Sequence, residues 1–524
     1  MKKAIQTSPL FRYWINSYLL VLLCFAPFLC MFTWGNHDWD WIRYGTPLLS
    51  GLFEGRFSQF ILPTILFSGQ ILPLLSLATA LALYTLAAIM LCRLWKIPQK
   101  QYFYLLLTIS LTAAPYTLSW LYFAFLTLSN LFWPLVIIIA FTIVCNHNLK
   151  LKLRLLLSII LLTLALGGYP PVINLMGILY LTLILNDLCL QRLTPKSLVR
   201  KYWPHLCAIV SAIILILITQ YFLKKYGLQV ATYNTAEITL SELPAKLLLS
   251  LKESLEQFVI TTNFIDGPYK FINLFICLLG LVRLYALLPK KASTIILFSS
   301  LVIAILLASV TTTLLAQNTA YILHEPRIKF YTLPYITAFS AIVLWHSRHL
   351  LIRNLTSALL LYLIFSNYNT IAHAAKIWKN GFIAETNYMQ RFLSRLEDLP
   401  NFTPQTKHYT FIQGGNLNLR ARYTHERPIK TDSYTLSAPY IPWHLPSKAY
   451  TFYYPQNFIS KDFDTYWHLP QKQQLPLTPE VAEYLLHNAM AWPHQQALYS
   501  ANQLLILTLT PEGKGWAQQW LHKN

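Results

Sequence analysis

A chain of 524 residues that is 55% hydrophobic and only 12% charged, with a mean hydropathy of +0.43, carries about half the charge usual in a soluble globular protein, roughly 25%. Those values exclude an ordinary soluble domain and point to a polytopic membrane protein, mainly α-helical. The 41 Lys+Arg against 20 Asp+Glu do not mark a nucleic-acid binder, because the basic residues sit in short clusters between apolar runs, as in cytoplasmic loops.

The N-terminus, MKKAIQTSPLFRYW, puts positive charge before an apolar run of roughly 20 residues with no small-residue cleavage site behind it. It reads as a first spanning helix rather than a signal peptide. Runs long enough to span, about 20 residues each, fall near 14–33, 71–93, 102–118, 122–145, 154–168, 170–188, 204–223, 269–288, 293–315, 331–346 and 355–373. That predicts about 11 transmembrane helices. With the N-terminus cytoplasmic, the short inside loops collect 18 of the 27 basic residues before residue 376, and Asp187 is the one acidic residue on that side. An odd number of spans then puts everything after about residue 376 outside.

Three outside segments are substantial. The first starts at Trp34–Arg56 and continues to Gly69; its apolar pieces Thr46–Phe53 and Phe57–Phe67 are too short to span and read as re-entrant or interface-lying helices. The second is 224–268, where Leu243, Leu247, Leu251, Leu255 and Phe258 share one helical face and Lys246, Lys252, Glu253 and Glu256 lie elsewhere. This amphipathic helix either lies on the membrane surface or packs on the rest of the outer face. The third is the polar tail, where Tyr409–Gln413 and Leu504–Leu509 read as strands and Thr478–Ala491 as a helix. The expected domains are a transmembrane body, 1–375, and a small α/β domain, 376–524.

Asp38 and Asp40, two residues apart at the exit of the first apolar run, stand out in a chain whose spans are nearly free of acids. Ionisable groups at a membrane edge are costly and by default suggest function, and a carboxylate there suits a general base acting on a hydroxyl. The plain alternative is a solvated, helix-capping loop. Trp34, Trp39, Trp41 and Tyr44 around the acids are ordinary interface residues and equally a stacking surface for sugar rings. Arg43, one helical turn after Asp40, is placed to orient the carboxylate or contact a phosphate, and Gly55–Arg56 repeats that option. In His324–Lys329, HEPRIK, Arg327 and Lys329 sit where a lipid phosphate would lie; a headgroup anchor is the alternative. Tyr169 and Asn174 in GGYPPVIN mark either a polar spot or simply a tight turn. Lys224, Lys225 and Tyr226 are lipid anchors or phosphate contacts. The tail histidines show no ligand spacing, and the seven Cys show no disulfide framework or zinc spacing. No metal site or cofactor is expected from a motif; a need for a divalent cation is left open.

The order Asp38-Trp39-Asp40-Trp41-Ile42-Arg43, Gly45, Gly55-Arg56, then LGGYPPVIN at 166–174, Pro326-Arg327, and SNYNTIAHAAKIWKNGF at 366–382 resembles the bacterial glucosyltransferases of O-antigen modification, the Gtr type-II family of the GT-C superfamily. The likeness covers roughly residues 15–400. One departure is Trp39, which separates acids that the family usually has adjacent; Asp40, in register with Arg43, is the closer match.

The resemblance implies a GT-C-like membrane glycosyltransferase of the bacterial inner membrane. It would take a sugar, glucose by the family, from a polyprenyl-phosphate donor and transfer it to a periplasmic lipid-linked glycan such as O-antigen. Asp40 or Asp38 would be the base, and Arg327, Lys329, Arg43 and Arg56 would hold the donor phosphate. Trp39, Trp41, Tyr44 and Tyr169 would contact sugar or acceptor. The alternatives are an O-antigen polymerase or ligase, depending more on arginines than on Asp40, and a lipid-linked glycan flippase or transporter. The transporter predicts charged or broken helices near the bilayer midplane and often repeats; the sequence has no repeat.

Overall fold

The computed structural model describes residues 9–30, 45–97, 101–121, 124–228, 241–259, 271–289, 291–316, 326–398, 410–414, 479–487, 498–501, 504–508, 518 and 521–522. Among them the chain divides into two compact units, one running from Pro9 to Ala372 and the other from His373 onward.

The first unit is a helical membrane body. It opens with α1 (Pro9–Cys24) and α2 (Ala26–Leu29), then a 3₁₀ turn (Ser50–Glu54) and α3 (Ile61–Phe67). Then come α4 (Pro73–Leu94), α5 (Gln101–Thr112), the single turn α6 (Leu118–Leu121), α7 (Ala124–Cys145), α8 (Leu151–Gly168), α9 (Val172–Cys189) and α10 (Pro195–Lys225). The second half holds α11 (Leu243–Glu256), α12 (Ile272–Leu287), α13 (Ala292–Ala308), α14 (Thr311–Leu315), α15 (Pro326–Lys329), α16 (Leu333–Trp345) and α17 (Leu350–Glu397), which crosses into the second unit. Among the described residues seven helices are long and apolar enough to cross a bilayer, and a bent pair makes an eighth. Shorter apolar helices lie at Leu10–Cys24, Ile272–Leu287 and Ala292–Ala308. Each of the eleven apolar runs in the sequence thus contains a helix, though not each is a full-length span.

Local chemistry explains the breaks. The pair Tyr102–Thr112 and Pro115–Leu121 bends by 43° because Pro115 offers no N–H and holds Ala114 extended (φ −61°, ψ 139°). Pro73 starts α4, and Thr194 caps α10 by accepting from the Ser197 N–H. Burial sorts the helices: residues 328–345 are all buried, whereas α10 is mostly open, with Ile214, Leu217, Ile218 and Phe222 exposed. In a membrane protein such apolar surface meets lipid. Small residues set the close crossings: a Cβ on Gly280 of α12 would sit 2.6 Å from the Ser340 Cβ of α16, and one on Gly177 of α9 would sit 2.9 Å from Ala308.

The amphipathic α11 is turned opposite to a helix of a soluble protein. Its polar positions Lys246, Ser250, Glu253 and Ser254, with Gln257 following, are buried, while Leu247, Leu248, Leu251 and Leu255 are exposed. It packs on α13 and α14 through its polar face. Of the two readings of this segment, the packing on the body is what the structure shows; its leucines are exposed.

The second unit contains a three-stranded sheet in the order β1-β3-β2, from β1 (Thr410–Gly414), β2 (Leu498–Ala501) and β3 (Leu504–Thr508). β1 pairs parallel with β3, Thr410 opposite Leu504, and β2 pairs antiparallel with it, Leu498 opposite Leu507. A further helix, α18 (Pro479–His487), belongs to the same stretch of chain.

Candidate functional site

Of the residues singled out from the sequence, Asp38, Trp39, Asp40, Trp41, Arg43 and Tyr44 lie outside the described residues, as do His324 and Glu325. The described part of that region begins at Gly45 and is a closed loop. The Thr46 N–H donates to the Gly69 carbonyl at 2.6 Å and the Thr46 hydroxyl donates to the same oxygen at 2.9 Å. Gly45 and Gly69 both have positive φ, +71° and +76°, and a Cβ on Gly69 would sit 2.7 Å from the Thr46 carbonyl oxygen. The neck is thus closed by glycines that nothing larger replaces without strain. Leu48, Leu49, Phe53, Ile65 and Leu66 project from the loop, exposed.

Inside the loop, Gly55 ends the 3₁₀ turn in the left-handed conformation (φ +71°) and the chain doubles back, the Arg56 N–H donating to the Gly51 carbonyl at 2.8 Å. That reversal gives the Gly-Arg pair its physical meaning, because it directs Arg56 inward. The loop then docks on the end of α8. The Ser58 N–H donates to the Gly167 carbonyl at 3.2 Å and its hydroxyl donates to the Leu164 carbonyl. A Cβ on Gly167 would lie 2.3 Å from the Phe57 ring, and one on Gly168 would lie 2.1 Å from Trp133. The double glycine of GGYPP is a docking surface as well as a turn.

Docking brings together two of the expected residues. The Arg56 guanidinium lies 5.4 Å from the centre of the Tyr169 ring and 2.7 Å from a Glu54 carboxylate oxygen. Its side chain is 17% exposed, and its Nε is buried without an acceptor among the described residues. Tyr169 is itself buried, edge-on to Trp120 at 4.9 Å and tilted against Tyr331 at 5.7 Å. Phe330 packs on Trp120, Tyr331 and Tyr84, and the Tyr331 hydroxyl donates to the Asn130 carbonyl at 2.9 Å. The result is an aromatic cluster built from four distant segments, with one partly exposed guanidinium at its rim. A partly exposed guanidinium backed by an aromatic face suits an oxyanion such as a phosphate.

Other expected residues do not join it. Lys329, expected at the membrane edge facing a lipid phosphate, is fully buried and paired with a fully buried Glu253 at 2.6 Å. Its ammonium is neutralised there, so in this arrangement it does not reach a lipid phosphate. Arg327, in the same short turn, is partly exposed. Asn174 is structural: its Nδ2 donates to the Ser309 carbonyl, and its Oδ1 accepts from the N–H and the hydroxyl of Thr312. Tyr169 serves as a wall for Arg56 more than as an open platform. The sequence assigned no functional role to Glu54, Trp120, Tyr331 or Glu253. Only Glu54, two residues before Arg56, carried a local signal.

No curated protein and no solved structure matches the chain. A protein-family model described as Glucosyl transferase GtrII matches residues 29–345, a span that begins just before the paired acids and holds Arg56, the Gly-Gly docking surface, Tyr169 and Arg327. With more than half of its length matched, the chain belongs to the GtrII glucosyl transferase family.

Proposed function

We propose that this membrane glucosyltransferase takes glucose from a polyprenyl-phosphate donor and transfers it to a lipid-linked glycan such as O-antigen. The reaction is placed on the periplasmic side of the bacterial inner membrane, in a GT-C-like body, with the N-terminus cytoplasmic and residues 376–524 periplasmic. Asp40, with Asp38 beside it, removes the proton from the acceptor hydroxyl as that oxygen attacks the anomeric carbon. The bond from that carbon to the phosphate oxygen breaks, and the polyprenyl phosphate leaves with the electron pair. Arg56, Arg327 and Arg43 stabilise the charge on the departing phosphate, while Trp39, Trp41 and Tyr44 stack the sugars. Lys329 is left out because of its pairing with Glu253.

The observation that carries this reading is Arg56, backed by Tyr169 and, unlike the sealed Lys329, still partly exposed beside its partner Glu54, at the base of a loop whose leucines point outward. The loop's apolar surface suits an interface where a polyprenyl chain is already dissolved. The distribution of Lys and Arg along the chain supports the orientation.

The test is transfer of glucose from polyprenyl-phosphate glucose to lipid-linked O-antigen in membranes holding the full chain. Asp40→Asn is expected to lower the rate by about 10²–10⁴-fold, the usual worth of a general base, with Asp38→Asn less affected. Full activity in both variants would remove the acids from the mechanism. Arg56→Ala and Arg327→Ala are each expected to raise the donor KM roughly tenfold at unchanged protein level, from loss of a charge-assisted hydrogen bond. An unchanged donor KM takes that arginine out of the phosphate site.

A further inference from the structure

The Glu253–Lys329 pair has no part in the mechanism above, yet both side chains are sealed from solvent. Burying two charges is expensive, and a well-packed apolar pair of similar volume often serves stability as well or better. The geometry of the pair gives it another use. Glu253 splits its carboxylate between two elements: Oε1 accepts from the Lys329 ammonium at 2.6 Å, and Oε2 accepts from the Thr313 hydroxyl. Lys329 ends α15, a single turn too short to hold its own conformation. Arg327 stands two residues before Lys329 and Tyr331 two residues after it.

The platform behind Glu253 is firm. On the same face of α11 the Ser254 hydroxyl donates to the Leu306 carbonyl at 2.8 Å, and just past its end Gln257 Nε2 donates to the Ser309 hydroxyl at 2.6 Å. Lys246 donates to the Ala316 carbonyl at 3.1 Å. The polar side of α11 is therefore clamped along α13 and α14, and Glu253 is its link to α15.

We infer that Glu253 is a positioning residue of the glucosyl-transfer site: through Lys329 it fixes the α15 turn, and with it Arg327 and Tyr331, against the aromatic cluster that carries Arg56. A site of this kind needs its groups held to about 0.5 Å, and an ion pair with defined hydrogen bonds sets a register that apolar packing leaves loose. The inference rests on the reading of Arg327 and Arg56 as groups that hold a lipid phosphate.

The experiment uses the full chain in lipid nanodiscs, with undecaprenyl phosphate as the titrated probe and hydrogen exchange of the backbone amides as a second measurement. Glu253→Gln or Lys329→Met alone removes one charge of the buried pair and leaves the other in place, so a low yield is expected for each. The double variant Glu253→Gln with Lys329→Met removes both charges and is expected to fold in normal amount. In that variant the amides of residues 328–332 are expected to exchange faster while those of α4 and α7 keep their rates, and affinity for undecaprenyl phosphate is expected to fall roughly tenfold. Wild-type exchange at 328–332 would overturn the inference. So would faster exchange with unchanged affinity, since the pair would then serve the fold alone. If the unmodified chain failed to bind undecaprenyl phosphate, the lipid-phosphate reading would fall and the positioning role with it; faster exchange at 328–332 would then separate a real link from Glu253 to α15 from an error in both ideas.

Discussion

Two buried carboxylates sit toward opposite ends of the body and are treated differently. Glu253 meets Lys329, and neither side chain is exposed. Asp187 is buried too, at 1% exposure, but its partners reach water: Lys201 is 35% exposed and Lys96, at 3.7 Å, is 57% exposed. Tyr202 adds a hydroxyl donated to the Asp187 carboxylate at 2.7 Å. One helix relates the two places. Asn174 near the start of α9 ties to Thr312, next to Glu253's partner Thr313, and Asp187 lies near the end of α9, about 20 Å along at 1.5 Å per residue. The Asp187 cluster joins the ends of α4, α9 and α10 and gives two cations a route to solvent. In the Glu253 cluster the cation is sealed from solvent together with the carboxylate. A partner that reaches water makes a latch tolerant; a dry one makes it exacting.

That contrast can be broken by mutation, with thermal unfolding in nanodiscs as the measure. Lys329→Ala is expected to cost most, about 3–5 kcal/mol, because it leaves a buried carboxylate without its cation. A loss below about 1 kcal/mol would show that water reaches Glu253 and would end the distinction. Asn174→Ala is expected to cost about 1–3 kcal/mol, since it leaves the Ser309 carbonyl and the Thr312 donors near Glu253 unmet. Gly168→Ala is expected to cost about 1–3 kcal/mol by driving a methyl into Trp133, and the loop docking that seats Arg56 should loosen with it, seen as faster exchange of the Ser58 amide. The smallest effect is expected for Lys201→Ala, about 0–1 kcal/mol, because Lys96 and Tyr202 remain beside Asp187. Equal losses for Lys201→Ala and Lys329→Ala would mean that exposure does not separate the two clusters.

Much of the helical frame was legible in the sequence, since long apolar runs and Pro-marked starts are local signals: the runs near 71–93 and 122–145 became α4 and α7 almost residue for residue. The orientation of α11 was half legible. Periodicity separates its two faces, yet which face turns inward depends on whether the surroundings are water or lipid. Its buried glutamate found a partner 76 residues away. The Arg56–Tyr169 contact could not be read from spacing, because it needs the Gly-Gly surface of α8 to admit the loop. Trp120 and Tyr331 carried no sign of their role, being two aromatics among many in apolar runs. Lys329 misled for a physical reason: a lysine beside a span looks like a headgroup anchor until an acid from another helix is found against it.

The distance along the chain between Glu253 and Lys329 also imposes an order of events during synthesis. The 76 residues between them take about 4–15 s to make at 5–20 residues per second. Throughout that interval the newborn α11 holds a carboxylate whose cation does not yet exist. A helix whose leucines face outward can hold that carboxylate in water, where it stays hydrated, and fold down only when α15 arrives. The inverted face that shapes the finished enzyme is equally a parking position for an unfinished one.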